Sequence, residues 1–199
     1  LTVCQSLTDE VHARVPGARV VQIEDAPISP SAQEDAEGAA RLRQELNLEG
    51  APTVVYTGNF ERYQGIDLLL RAARTVLERR PDVRFVLVGG EPAHVAHAQE
   101  LAADLDLGDS VLFTGLRPME EMAAFMTLSS ILVSPRTRGT NTALKLYTYM
   151  QSGRPIVATR LPTHTQVLDE TCAVLVQPQV ENFAAGILSL LEDPEHGEA

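Results

Sequence analysis

Between Glu121 and Asp169 the chain carries no aspartate or glutamate, although acidic residues outnumber basic ones 27 to 16 overall. The same stretch holds Arg136, Arg138, Lys145, Arg154 and Arg160, with His164. Cations gathered without carboxylates make a local positive field, and the chemistry that suits such a field is anion binding. Residues 139–142 read Gly-Thr-Asn-Thr, which are helix-capping types. A helix opening there would direct free N–H groups and a partial positive charge at an anion of phosphate type. On this reading Arg136, Arg138, Thr140, Asn141 and Lys145 surround that anion. Helical spacing then puts Ala143, Leu146, Tyr147 and Met150 on the face that packs against the protein. Asn141, Lys145, Thr148 and Ser152 fall on the opposite face, and Gly153 with Pro155 ends the helix. Alone, Lys145 is an ordinary residue of a solvated face. The helix start and the missing acids favour phosphate.

Other chemistries find little support. Asp104 and Asp106 form an acid-x-acid pair, but at a helix end rather than after a strand. His12, His94, His97 and His164 lack metal-ligand spacing, so no metal site is expected. Residues 58–65, Gly-Asn-Phe-Glu-Arg-Tyr-Gln-Gly, do not match the dinucleotide pattern G-x-G-x-x-G. Ser134 lacks the G-x-S-x-G context of a hydrolase. A net charge of −11 disfavours nucleic acid and anionic membrane surfaces as partners. Two cysteines, Cys4 and Cys172, make no disulfide framework, which points to a reducing, cytoplasmic compartment. No apolar run approaches the roughly 20 residues of a membrane span. The chain opens at Leu1 without the pattern of a signal peptide and reads as part of a larger protein.

The elements that must position these residues alternate. Strand-like runs fall at 53–56, 84–88, 111–113, 131–133, 156–158 and 173–176, with a further apolar run at 20–23. Helix-like runs lie between most of them, and Pro27 and Pro30 mark a linker. Short β-branched strands joined by single helices predict an α/β fold, a doubly wound parallel sheet covered on both faces. Such sheets bind ligands at the carboxyl ends of their strands. Gly58, Gly89–Gly90 and Gly115 stand at those ends, together with the basic residues after Val133.

The succession of segments resembles glycosyltransferase family 4. Residues 20–27 (VVQIEDAP) look like its interdomain hinge, and VVYTGNFERYQGIDLLLRAA like its first glycine loop and helix. FVLVGGEP, VLFTG, SGRPIVATRLPTHTQVL and CAVLVQP follow in family order. The resemblance covers nearly the whole chain. It implies the Rossmann-like C-terminal, donor-binding half of a GT-B glycosyltransferase. Residues 1–20 would then be a remnant of the N-terminal acceptor domain, 21–50 hinge, linker and lead-in helix, and 51–199 the nucleotide-sugar domain. The family usually carries an Arg and a Lys in the first loop, where this chain has Asn59 and Gln64. Its two helix glutamates, with seven residues between them, fall here on Thr140 and Thr148.

The implied activity is hexosyl transfer, retaining and metal-independent, from a UDP-, GDP- or ADP-sugar to an acceptor in polysaccharide or glycoconjugate synthesis. No cofactor is implied. The acceptor domain would be the missing partner, so this stretch alone should not turn over. Lys145 and Arg138 would stabilise the leaving diphosphate. Gly58, Asn59, Arg62, Gln64, Arg136, Thr140, Asn141 and Thr148 would hold the donor, with the base near Gly90 and Gly115. The full-length protein would be cytoplasmic or peripheral at the inner membrane. The alternative is a non-catalytic GT-B-like half-domain with an interaction or regulatory role.

Overall fold

The computed structural model describes residues 1–26, 34–48 and 50–193. Its centre is a run of short, β-branched strands. These are β1 (Thr53–Thr57), β2 (Arg84–Val88), β3 (Val111–Gly115), β4 (Ile131–Ser134), β5 (Ile156–Thr159) and β6 (Val174–Val176). They form one sheet in the order β3-β2-β1-β4-β5-β6, and every pairing is parallel. All six strand positions expected from periodicity are met, most with one or two extra residues at the carboxyl end. The strand order reverses between β1 and β4. Crossovers on either side of that pair leave in opposite directions and open a crevice at the carboxyl ends.

Alternation along β1 explains how both faces are covered. Val54 and Tyr56 point to one side, and there they pack with Ile66, Leu69 and Ala73 of α3 (Ile66–Arg79) and Phe183 and Ile187 of α8 (Val180–Glu192). Val55 points to the other. It meets Leu42 of α2 (Ala36–Glu45), Phe125 of α5 (Met122–Leu128), and Leu146 and Tyr149 of α6 (Lys145–Gln151). Each fully buried aromatic of this kind contributes roughly 1.5–3 kcal/mol. α4 (Pro92–Asp104) flanks the first face through Ala98 and Ala102, and α7 (Pro162–Thr165) is a single turn after β5.

Two expectations change. The apolar run at 20–23 joins no sheet. Gln22 makes one isolated parallel bridge to Thr2, while Val21 and Ile23 stay exposed, and α1 (Gln5–Arg14) buries none of its residues fully. The linker prolines 27 and 30 lie outside the described residues. The capping sequence 139–142 does not open a helix: α6 begins at Lys145. The carbonyls that would start it are already held from α7 and the turn after it. Thr163 Oγ1 donates to Asn141 O at 2.6 Å and Gln166 Nε2 to Thr140 O at 2.8 Å. With those bonds made, residues 140–143 bend at Thr140 and Asn141 and stay outside any helix.

Candidate functional site

The last residue of β1, Thr57, lies where the strand order reverses. Its N–H donates to Tyr149 Oη at 3.0 Å, and its hydroxyl lies 3.1 Å from the same oxygen. Burial pushes the Tyr149 phenol up to about 12, so it stays neutral. The Thr57 carbonyl accepts from Lys145 Nζ at 2.8 Å. The lysine ammonium also stands 3.8 Å from the centre of the Tyr56 ring, a cation–π contact. The backbone then turns at Gly58 with φ +136°, where an added Cβ would lie 3.2 Å from Tyr56 Oη and 3.3 Å from Lys145 Nζ. The backbone conformation favours glycine there, and a Cβ would crowd the Tyr56 hydroxyl and the Lys145 ammonium.

The second cation comes from the segment after β4. Arg136 is buried, and each contact on its guanidinium is neutral. Nε donates to Gln64 Oε1 at 3.3 Å, and Nη1 to Thr163 Oγ1 at 2.7 Å and Asn141 O at 3.4 Å, with the Tyr63 ring 5.3 Å away. Gln64 is aligned in turn by donating Nε2–H to Asn59 Oδ1 at 3.1 Å. Among the described residues neither Lys145 nor Arg136 pairs with a carboxylate. Burial drives the lysine pKa well below its usual range, and neighbouring Arg136 lowers it further. Burial likewise lowers Arg136. Two enclosed like charges without a counter-ion are costly, and an anion between them removes the cost.

A cavity of about 500 Å³ opens beside them. Thr57, Gly58, Asn59, Gln64, Arg136, Lys145 and Thr148 line one side, and Met119, Met122 and Met126 the other. Arg154 and Glu34 also line it, paired with each other at 3.2 Å. The cavity can therefore take a molecule with a strongly anionic part and an apolar or polarisable part.

Of the residues singled out in the sequence, Gly58, Asn59, Gln64, Arg136, Lys145 and Thr148 come together here. Arg62, Arg138, Thr140 and Asn141 do not. All four are exposed and absent from the cavity lining, and Asn141 contributes only its main-chain carbonyl, to Arg136 and Thr163. The reason is that α6 begins only at Lys145, so residues 137–141 stay in an exposed loop. Gly90 is also off the cavity: an added Cβ there would stand 2.8 Å from Phe60 and Val95, so side chains fill that space. Gly115 ends β3, and its carbonyl accepts from Gly89 N–H at 2.8 Å. Lys145 is enclosed rather than on a solvated face. Thr57, Tyr149, Tyr63 and Thr163 escaped the sequence reading. Tyr149 follows Leu146 at i+3, and that spacing was the available signal.

Residues 51–193 match the sequence profile described as "Glycosyl transferases group 1". The chain belongs to this family. It is 31% identical over 173 residues to a GDP-mannose-dependent alpha-(1-6)-phosphatidylinositol monomannoside mannosyltransferase of Mycolicibacterium smegmatis, covering 83% of this chain and 45% of that protein. Among solved structures, Anabaena HepE in complex with UDP superposes with a TM-score of 0.83 at 18% identity, over 99% of this chain and 55% of that one. The C-terminal domain of a glycosyl transferase group 1 family protein (LpcC) from Francisella tularensis superposes with a TM-score of 0.68 at 19% identity, over 87% of this chain and 88% of that one. The group 1 chain described here thus has the Rossmann-like architecture of one half of a GT-B fold, and it spans about half the length of the mannosyltransferase it matches. Among the described residues no helix is long and apolar enough to cross a membrane, and no group of three or more metal-ligating side chains occurs.

Proposed function

We propose that this chain is the donor-binding half of a glycosyltransferase, taking a nucleoside diphosphate sugar with its diphosphate between Arg136 and Lys145. One observation carries the reading. Two enclosed cations face a cavity at the strand-order reversal, and neither has a carboxylate partner among the described residues. Among the described residues Arg136 Nη2 has no hydrogen-bond partner, and Lys145 Nζ donates one of its three hydrogens to Thr57, so N–H donors remain for phosphate oxygens. Thr148, one helical turn beyond Lys145, faces the same cavity and suits a ribose hydroxyl. The GDP and UDP in the names of the two relatives above agree with a nucleoside diphosphate and leave the base open.

In the proposed reaction the bond from the sugar's anomeric carbon to the diphosphate breaks, and its electron pair leaves with the phosphate. Negative charge grows on the diphosphate as this happens, and the two cations stabilise it more in the transition state than in the ground state. They supply the positive charge that a metal ion supplies elsewhere, which is the basis for proposing metal independence. Retention of anomeric configuration, and an acceptor bound by a separate domain, are proposed on family kinship. Arg138 is left out of this diphosphate site. The test is calorimetric titration with UDP, GDP and ADP. One series should bind, and Lys145→Ala should weaken it tenfold or more, on the order of 1.4 kcal/mol. Unchanged affinity in that variant would remove Lys145 from the site. With the full-length protein, transfer that persists in EDTA and gives product with the donor's anomeric configuration is expected.

A further inference from the structure

We infer that Thr163 is a positioning residue that aims the Arg136 guanidinium at the diphosphate, an assignment that rests on the donor-site reading above. The argument begins with the freedom of an arginine. Its side chain has several rotatable bonds, and a buried guanidinium with no carboxylate partner has no ion pair to fix its direction. Here direction comes from neutral groups alone. Nε is taken by Gln64 at 3.3 Å and Nη1 by the Thr163 hydroxyl at 2.7 Å, the shortest bond the guanidinium makes. With two of the three nitrogens claimed, Nη2 is the nitrogen left to meet an anion.

Thr163 can hold this direction because it is itself fixed. It is fully buried in the single turn α7, and its hydroxyl hydrogen is committed to Asn141 O at 2.6 Å. A hydroxyl has one hydrogen, so the Thr163 oxygen can only accept from Arg136. The arginine is anchored at its other end as well, since Thr159 Oγ1 donates to Arg136 O at 2.6 Å. β4, β5 and α7 thus meet on one residue, and the Thr163 oxygen sets which of its guanidinium nitrogens is left over. A neutral acceptor does this without cancelling the charge, whereas a carboxylate at position 163 would compete with the phosphate.

The experiment compares Thr163→Val, Thr163→Ser and Arg136→Ala in this chain by titration with UDP, GDP and ADP and with the parent nucleosides. Valine keeps the volume and removes the acceptor. Affinity for the diphosphate that binds should fall about five- to tenfold, as expected for one lost hydrogen bond. The nucleoside should bind as in wild type, and serine should restore the diphosphate to within about twofold of the wild-type affinity. In the Arg136→Ala background Thr163→Val should have no further effect, because a residue acting through Arg136 has nothing left to aim. A merely structural role would lower nucleoside and diphosphate affinity alike and would add to Arg136→Ala. A second measurement, nitrogen-15 NMR of the Arg136 guanidinium, does not depend on nucleotide. Separate Nη signals are expected in wild type and in Thr163→Ser, and averaged ones in Thr163→Val. If wild type binds none of the diphosphates, the donor-site reading falls and the guanidinium spectra alone decide the role of Thr163. Wild-type affinity and unaltered spectra in Thr163→Val would overturn the assignment.

Discussion

His164 is held between β4 and β5 by two bonds that fix its tautomer. Nδ1 lies 2.7 Å from the carbonyl of Thr159, which can only accept, so Nδ1 carries the proton. Nε2, 2.9 Å from Ser134 Oγ, then accepts from that hydroxyl. Burial pushes the His164 pKa down to about 4, and the charges of Lys145 and Arg136 act in the same direction. The folded pKa lies below that of the unfolded chain, about 6.5. In between, the unfolded state binds more protons, so stability rises with pH across this window. It is lost as pH falls from about 6.5 to about 4, by up to about 3 kcal/mol. Urea unfolding at pH 7 and pH 4.5 should show wild type losing more stability on acidification than His164→Gln. Equal losses would mean that the imidazole is not held neutral. The same bonds employ Ser134 as a donor to histidine, which is a structural use of a serine at a strand end.

At the scale of elements, the turn after β1 rests directly on the segment after β4. Gly65 closes the short 3-10 turn Arg62–Gln64 with φ +76°, and a Cβ built there would stand 1.9 Å from the carbonyl oxygen of Pro135. Thr137 N–H also donates to Tyr63 O at 3.0 Å. The two segments carry Gln64 and Arg136, so their contact sets how the cavity wall meets. Gly65→Ala combines a left-handed backbone with a collision against main chain, and should destabilise by about 2 kcal/mol or more. Diphosphate affinity should drop with it, because Gln64 and Arg136 can no longer approach. Unchanged thermal stability would contradict the close approach. Much of this level was legible from sequence. The short β-branched runs located every strand, because a strand buried on both faces must be apolar throughout. Gly58, Asn59 and Gln64 were legible as a loop at a strand end. The start of α6 was not, because side chains more than twenty residues away settle it, Thr163 and Gln166 taking the carbonyls that residues 139–142 would have used. Nor does spacing distinguish Arg136 from Arg138. Only the direction of the chain after β4 decides that one is enclosed and the other exposed.

On the scale of the whole molecule, a net charge of −11 surrounds a cavity whose two innermost charges are positive. The acidic exterior repels anions at long range, and salt screens that repulsion. Raising sodium chloride therefore acts on approach, while the contact with Arg136 and Lys145 is short-ranged and enclosed. The cation pair also belongs to both halves of the sheet. Lys145 is bonded to the end of β1, and Arg136 follows β4 and is tied to β5. Two cations with no carboxylate partner among the described residues make the protein a ready receptor for small phosphates. Inorganic phosphate or pyrophosphate should compete with the nucleoside diphosphate, raising its apparent Kd in proportion to the competitor, and by more than chloride at equal ionic strength. An effect no larger than that of chloride would argue against an anion between the two cations. In a phosphate-rich medium the donor then meets a lodged tenant rather than an open berth. The sugar nucleotide's advantage becomes the difference between two anions, and what its nucleoside and sugar add beyond phosphate decides which one stays.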